Sequence, residues 1–540
     1  MELRTRHKVF VFRCEYEERE TPKQAGFYWH NGFGCMAGNC RACQAGVAKA
    51  WWTADPDIAA RLSEYADAPT VQAIEAGLQT KKDSQNASVA VASALHVPAP
   101  PGLTYRPFQL AGIEFMAGRS ATLLADDMGT GKSVQALGLI NLDATLNRIL
   151  IVCPASLRVN WAREAARWLV RPLAVGIADS SVLPDADIVI VSYDRMGKLV
   201  DQIRRRTWDL MVCDESHFLK SQKAQRSRAA YSLTARKTIF LTGTPVLNRP
   251  AELFPQVHYL APDQFPSWWW YVNRYCGATQ GRFGMDTSGA THLDELRDAL
   301  APIMIRRTKA QVLTELPPKI RQIIPLAPNG SEGLIARQWE AWRRYEADVQ
   351  SLKGLKKGIE NACLYEEQAA RLRAGARTAF ADVTRMRQDV GLAKIPAVIE
   401  AVRSAMEGGK VVCFAHHQSV QDALMAEFGA EAVLHRGGLS DQEKQHAVDR
   451  FQNDPAVKVF IGSIRASGVG LTLTASSHII FAEQDWVPAI MSQCEDRCHR
   501  IGQQESLLVQ HLVFDGSLDA TMVQRQIEKQ GVIDQIMEAA

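Results

Sequence analysis

The sequence predicts an α/β protein made of two parallel-sheet lobes, a helical insertion between them and a small module in front. Three observations predict this. The chain has 540 residues, and at roughly 150 residues per domain it holds three or four units, each able to bury a core. Short β-rich apolar runs recur in two series, spaced by helix-sized stretches. A polar, then proline-rich stretch at 80–101 and a basic stretch at 301–393 mark off the parts.

Residues 1–79 read as a separate module. Val9–Phe12, Gly26–His30 and Trp51–Thr53 have strand character, and Pro56 opens a helix to about Ala66 with Asp55 as its N-cap. Cys35, Cys40 and Cys43, with His30 five residues ahead, are a candidate tetrahedral set for a structural Zn²⁺, and Cys14 is the alternative fourth ligand. Closure by a metal helps a unit whose own core is marginal. The other reading is free thiols in a glycine-rich loop, since a lone Cys-x₂-Cys lacks the spacing of a double knuckle. Trp29, Trp51 and Trp52, with Lys8, Arg13, Lys23 and Arg41, either present stacking and basic groups to DNA or form the module's core. Residues 80–101 read as a linker.

The first lobe, 102–300, takes its strands from Thr122–Ala125, Ile149–Cys153, Ile188–Ser192, Leu210–Cys213 and Thr238–Leu241. The second, 394–540, takes them from Val411–Ala415, Val457–Ile461, His478–Ala482 and Leu508–Val513, with a C-terminal helix. Near-continuous apolar strands of this length belong to parallel sheets covered on both faces. Trp268, Trp269 and Trp270 read as first-lobe packing. The formal net charge is only +3, which excludes a polybasic binder whose affinity comes from bulk charge. Over 301–410, however, 19 Lys and Arg face 12 Asp and Glu, a local +7 that leaves −4 elsewhere. Eleven cysteines are too sparse for a disulfide scaffold, and Cys153, Cys213 and Cys413 sit in strand runs as small hydrophobes. The N-terminus lacks the apolar core of a signal peptide, and no uncharged run approaches the roughly 18 residues of a membrane span. A soluble, cytoplasmic, monomeric protein of a bacterial or phage-infected cell is expected, without membrane contact.

The chemistry lies at strand ends. Asp126-Asp127-Met128-Gly129-Thr130-Gly131-Lys132-Ser133 follows one strand and opens a helix, with Asp126 where the simplest P-loop has its first glycine. Gly129 and Gly131 let backbone N–H groups curl round a phosphate, backed by the helix N-terminus. Lys132 reaches the β- and γ-phosphates and Ser133 ligates Mg²⁺. Asp214 and Glu215 end another strand, where Asp214 can hold the Mg²⁺ and Glu215 can orient the attacking water.

With Leu241-Thr242-Gly243-Thr244-Pro245 and the long run Gln493-Cys494-Glu495-Asp496-Arg497-Cys498-His499-Arg500-Ile501-Gly502-Gln503, these motifs resemble the Swi/Snf-type branch of the superfamily-two helicase-like ATPases. The likeness runs from about Tyr105 to the C-terminus. It implies two RecA-like lobes, ATP and Mg²⁺ as nucleotide and metal, and translocation on duplex DNA. Arg106 and Gln109 are similar to the adenine-recognition motif. Pro154, Ala155, Ser156, Ser192 and Tyr193 resemble first-lobe contacts to the DNA backbone. His416, His417, Arg436 and Ser463 resemble their second-lobe counterparts. Gly470 and Gln493 resemble nucleotide-side residues, and Arg497 and Arg500 resemble the two arginines that face ATP across the cleft. Cys494 and Cys498 stand where the pattern has Ala, and Ser467 where Gly is common. All three are small, so only packing should differ.

The segment Met304-Ile305-Arg306-Arg307, with Leu316-Pro317-Pro318-Lys319 and Gly470–Ala475, looks most like the HARP-type annealing helicases and their compact bacterial and phage relatives. The resemblance therefore implies a DNA-dependent ATPase that remodels or reanneals forks and D-loops, with duplex or branched DNA as its partner. A strand-separating helicase with the same motor is the first alternative. A non-catalytic DNA-binding scaffold is the second, and the intact catalytic set argues against it.

Overall fold

The computed structural model describes residues 1–6, 9–30, 47, 49–178, 181–245, 249–281, 284–287, 289–355, 362–467 and 471–524. The N-terminal module is an antiparallel sheet of β1 (Glu2–Arg6), β2 (Val9–Arg13), β3 (Tyr28–His30) and β4 (Ala50–Thr53), in the order β1-β2-β4-β3. Successive residues of a strand point to opposite faces. Phe10 and Phe12 accordingly pack with Phe27, Leu62 and Ile74, while Val9 and Val11 pack with Val47 and Ala50. Trp51 and Trp52 are half-buried in this packing, but Trp29 is exposed and meets only the edge of Trp51.

Asp55 does cap a helix, its carboxylate accepting from Asp57 N at 2.9 Å. That helix ends at Ala60, shorter than expected. Asp67 then caps a longer one, Ala68–Ser88, which runs into the stretch expected to be a linker. The reason lies in composition: Lys, Gln, Asp and Ala with no Gly or Pro after Gly77 suit an exposed helix as well as a linker. Only 89–106 is irregular. Lys81 of this helix pairs with Asp57 of the module and with Asp298 of the first lobe at 3.4 Å, so the helix joins the two.

The first lobe is a seven-stranded parallel sheet: β5 (Ala121–Leu124), β6 (Ile149–Cys153), β7 (Val175–Ile177), β8 (Ile188–Ser192), β9 (Leu210–Asp214), β10 (Lys237–Leu241) and β13 (Met304–Ile305). Its order is β13-β5-β10-β9-β6-β8-β7. Leu150 and Val152 feed the core on one face, Ile149, Ile151 and Cys153 the core on the other. Two-sided burial is why these strands read as unbroken apolar runs. A separate hairpin, β11 (Thr279–Gly281) with β12 (Gly284–Asp286), branches from this lobe. Of the three consecutive tryptophans, Trp268 packs against Phe254, whereas Trp269 and Trp270 are exposed, contrary to expectation. They lie on the outer side of a short amphipathic helix, Trp268–Tyr275, that buries Tyr271, Val272 and Tyr275 instead.

The second lobe is also parallel: β14 (Lys319–Leu326), β15 (Val411–Ala415), β16 (Ala432–His435), β17 (Val459–Ser463), β18 (His478–Phe481) and β19 (Leu507–Phe514), in the order β14-β19-β18-β15-β17-β16. Val412 and Phe414 face one core, Val411, Cys413 and Ala415 the other. The basic stretch expected to be helical therefore begins as two strands, β13 in the first sheet and β14 in the second. Both are edge strands, one two residues long and one largely exposed, so neither shows an apolar run. Helices Glu332–Leu355 and Ala362–Ala393 follow and rest on the second lobe, where Trp342 stacks on Trp486 at 5.0 Å. Among the described residues no helix is long and apolar enough to cross a membrane.

Candidate functional site

The register of the first sheet brings the predicted site residues to one edge. Leu241 pairs with both Leu124 and Asp214, and Cys153 pairs with Ser192. The loops after β5, β6, β8, β9 and β10 thus emerge side by side at the carboxyl ends of the strands, the usual place for a ligand on an open parallel sheet.

The loop 126–133 opens the helix Lys132–Leu142, with Gly129 at φ 79° and Gly131 at φ 82°. Each conformation is left-handed, and neither position has room for a side chain. A Cβ at Gly131 would lie 2.6 Å from Gln109 Nε2, and one at Gly129 would lie 2.7 Å from Arg500 Cβ of the other lobe. Lys132 donates to the carbonyls of Asp126 and Asp127 at 2.8 and 3.0 Å, and burial lowers its pKa. Thr130 Oγ1 donates to Asp127 O. Met128 lies under Gly243 of the Leu-Thr-Gly-Thr-Pro motif. Gln109 accepts from Arg106 N and donates to Thr130 O, so here its amide braces the loop, and Arg106 donates to Glu315. Reaching a base edge would require Gln109 to exchange one of these bonds.

Asp126 explains its own departure from the glycine pattern. Its carboxylate is fully buried against Arg307, which is buried as well. Arg307 also donates to Ala90 O and Phe108 O, and Gln135 donates to the same carboxylate. One guanidinium thereby ties the end of the linker, the start of the first lobe and the phosphate loop together. The Arg-Arg pair after β13 was the only sequence trace of this anchor.

Asp214 and Glu215 leave β9 side by side. Asp214 accepts from Trp161 Nε1 at 2.8 Å and from Glu215 N at 2.9 Å; burial and the neighbouring Glu215 push its carboxyl up to about 6. Glu215 adopts a left-handed conformation, φ 50° and ψ 50°, which costs a non-glycine residue about 1–3 kcal/mol. Burial would raise its carboxyl too, but the His217 ring, 3.3 Å away, together with Lys132 and Arg497, leaves it lowered. It is the buried Oε2 that faces His217 Nδ1. Tyr193, expected at the DNA backbone, is buried instead and donates to Asp214 O at 2.7 Å. Ser192 is likewise buried, capping a helix through Arg195 N. Pro154 is buried, while Ala155 is exposed and Ser156 partly so.

Across the cleft, Arg497 is buried, donating to Gln493 O at 2.9 Å and reaching Met128 Sδ at 3.9 Å. Arg500 places its main chain on Gly129, while its guanidinium donates to Leu471 O and Thr472 Oγ1. Burial, with Arg497 close by, lowers its pKa to about 10. Cys494 and Cys498 lie in the second-lobe core, as packing residues should. Two further pairs cross the cleft, Arg158 with Asp441 at 2.6 Å and Arg163 with Asp449 at 3.2 Å.

The second sheet gathers a different set at its carboxyl edge. Ala415 pairs with Ser463, and His435 with Gly462, so His416, His417, Arg436 and Ser463 emerge together. Arg436 donates to Asp422 at 2.6 Å. Glu483 accepts from both histidine backbone N–H groups and from His417 Nδ1 at 2.6 Å, and Asp485 lies 3.3 Å from Arg465. These two buried acids were not singled out in the sequence, because they follow a strand that ends without a recognised motif. Gly470, Cys35, Cys40 and Cys43 lie outside the described residues, as does the side chain of His30. Cys14 is described, packed against the apolar core of its module. No group of three or more His, Cys, Asp or Glu side chains placed to hold a metal ion occurs among the described residues.

Hard oxygen donors suit Mg²⁺, and the Ser133 hydroxyl and the Asp214 carboxylate are donors of that kind. Residues 108–361 match the SNF2-related domain, and residues 393–502 the helicase conserved C-terminal domain. Over 444 residues the chain is 35% identical to the DNA annealing helicase and endonuclease ZRANB3 of Homo sapiens, covering 77% of this chain and 39% of that protein. It is 36% identical over 446 residues to the SWI/SNF-related matrix-associated actin-dependent regulator of chromatin subfamily A-like protein 1 of Xenopus tropicalis, covering 80% and 45%. With the homolog of the latter in Caenorhabditis elegans it shares 32% over 467 residues, 83% of this chain and 64% of that one. The chain thus spans between 39% and 64% of the length of these relatives.

Proposed function

We propose that this chain, which belongs to the SNF2-related family of DNA-dependent ATPases, uses ATP to move along duplex DNA and thereby remodels or reanneals branched DNA such as forks and D-loops. The observation that carries this reading is the meeting of the lobes at the phosphate loop, where Gly129 lies directly against Arg500. A nucleotide in that cleft would touch both lobes, so its hydrolysis can drive them apart or together.

Within that reading Gly129, Thr130 and Gly131 wrap the phosphates with backbone N–H groups, and Lys132 trades its two carbonyl partners for phosphate oxygens. Asp127 and Met128 complete the loop, and Arg106 with Gln109 lies on the base side. A Mg²⁺ on Ser133 and Asp214 supplies neutralisation of the β- and γ-phosphate oxygens. Glu215, its carboxyl held lowered by His217, Lys132 and Arg497, orients the attacking water. Arg497 and Arg500, with Gln493 beside Arg497, offset the charge that develops on the transferred group, and Gly470 is assigned to the same nucleotide side by its motif. DNA lies across the two carboxyl edges, held through its phosphates by Ala155 and Ser156, with Pro154 buried behind them, on one side and His416, His417, Arg436 and Ser463 on the other. Ser192 and Tyr193 serve this face indirectly, by shaping the loops behind it. Contacts of that kind give weak sequence preference and strong salt dependence.

Annealing activity rests on the likeness to a protein called an annealing helicase. The hairpin β11–β12, a two-stranded sheet of its own that rests on the first-lobe core through Met285, is the element that a second reading, strand separation, would use as a wedge. Regression of a fork measured against unwinding of a flapped duplex, on matched substrates, separates them. Efficient unwinding without reannealing would overturn the first. ATP turnover with single-stranded, duplex and forked DNA and with RNA tests the motor itself: duplex and forked DNA should stimulate it most, and no stimulation by any DNA would end the proposal. A zinc held by Cys35, Cys40, Cys43 and His30 also belongs to this reading. Less than about a tenth of an equivalent in the purified protein would remove it. We read the protein as a cytoplasmic monomer, which its mass in solution checks.

A further inference from the structure

Residues 303–326 pass from one lobe to the other and join a sheet in each. On the way they touch both halves of the cleft. Asp127 N donates to Arg307 O at 3.0 Å, and Asp127 Oδ2 accepts from Lys309 N at 2.9 Å, so the segment holds the phosphate loop by its main chain. The side chain of Lys309 turns the other way. Its Nζ donates to Asp496 Oδ1 at 2.7 Å and to His499 O. Those two residues bracket Arg497, and His499 immediately precedes Arg500. His499 is held a second time, its Nε2 lying 2.8 Å from Pro317 O. Lys319 and Arg321 pair with Glu495 from within the second sheet.

We infer that Lys309 is a positioning residue that couples the phosphate loop to the arginine motif. Its backbone follows Asp127 of the first lobe and its side chain sets the turn that carries Arg497 and Arg500 in the second. Its neighbours each serve one side: Lys319 and Arg321 grip the same turn but belong to the second lobe's own sheet, while Arg306 and Arg307 hold the phosphate loop and its first-lobe surroundings. The bond is also shielded, with both side chains largely buried. Burial would raise the Asp496 carboxyl, but Lys309 and Lys319 hold it well below the usual range, while burial lowers Lys309 itself. In this arrangement a displaced phosphate loop displaces the arginines. Lobe closure is then read by the same residue that aims the groups completing the site.

The inference rests on the proposed ATPase, and its test separates the two. Lys309→Met keeps the backbone bond to Asp127 and removes the link to Asp496. DNA-stimulated kcat should fall roughly 10- to 100-fold, the cost of a small misplacement at a reacting centre. KM for ATP and the Kd for duplex DNA should stay within about threefold of wild type, as expected for a loss confined to the transition state. Lys309→Arg should restore most of the rate. Asp496→Asn leaves the bond from Lys309 to His499 O and also weakens the pair with Lys319, so it should lower kcat in the same direction. The double variant should lose less than the product of the two single losses, since they share one interaction. Thermal unfolding of each variant tells lost rate from lost fold, and Asp496→Asn serves if Lys309→Met does not fold. Unchanged kcat in the folded variants, a raised KM alone, or additive losses would overturn the inference. If Arg497→Ala abolishes turnover while Lys309→Met does not, only the inference fails. If wild type shows no DNA-stimulated turnover, the underlying reading fails.

Discussion

The two sheets share one architecture but end in opposite chemistry. The first lobe's carboxyl edge carries Asp126, Asp127, Asp214 and Glu215, four acids around one lysine. The second lobe's edge carries His416, His417, Arg436 and Arg465, with Glu483 and Asp485 buried behind them. Acids in a cleft with a P-loop suit a metal-bound nucleotide, whereas basic and imidazole groups on an open edge suit phosphates of a polymer. Duplicated topology thus supplies two equivalent edges, and a few side chains per strand end divide the work between them.

The largest effect should come from the one place where the division breaks down, because Arg497 sits on the second lobe yet points to the first. Arg497→Ala should lower DNA-stimulated ATP turnover by about 10³- to 10⁵-fold, the range for an arginine at a transferring phosphoryl group. A rate near wild type in a steady-state assay would mean that the first lobe acts alone.

Next is the anchor of the first edge. Arg307→Met leaves Asp126 buried and unpaired, which should cost about 3–5 kcal/mol of stability, read by denaturant unfolding. A loss under about 1 kcal/mol would show that the pair is no more than a surface contact.

Acid should distinguish the lobes by sign. Burial holds His435 and His511 of the second lobe down at about 4. Unfolded histidine binds its proton near pH 6.5, so the stability contributed by these two rings is present above about 6.5 and is lost as pH falls toward 4. Asp214 of the first lobe, raised to about 6, works the other way, since the folded state takes up its proton first. Hydrogen exchange between pH 6.5 and 4.5 should therefore open second-lobe strands before first-lobe strands; the reverse order would contradict it.

The smallest effect belongs to the open edge. Arg436→Ala should weaken duplex binding about equally for all sequences and reduce the slope of log K against log salt by roughly one. Titrations at several salt concentrations measure this, and an unchanged slope would remove Arg436 from the DNA face.

Legibility in the sequence followed periodicity and burial. β6, β8, β9, β15 and β17 are apolar because both their faces are covered, so they could be read directly. β7, β13, β14 and β16 were missed; they are short or edge strands without a long run of apolar residues, and β13 and β14 pair with partners far away in the chain. Tyr193 illustrates the same limit within the site. Its place after β8 is legible, but its hydroxyl turns inward to Asp214 because Phe218 stacks on its ring at 5.7 Å. That contact joins residues from separate loops and has no local pattern.

From sequence alone came the two α/β lobes, the phosphate loop with its lysine, the acid pair and the arginine run, because each is a short stretch whose chemistry depends on neighbours a few residues away. Tertiary structure alone decided that Asp126 is an anchor for Arg307, that the stretch after residue 300 is a member of both sheets, and that Lys309 links Asp127 to Asp496. Those features join residues some 180 positions apart, and charge pairing at that separation leaves no periodicity for a sequence to display.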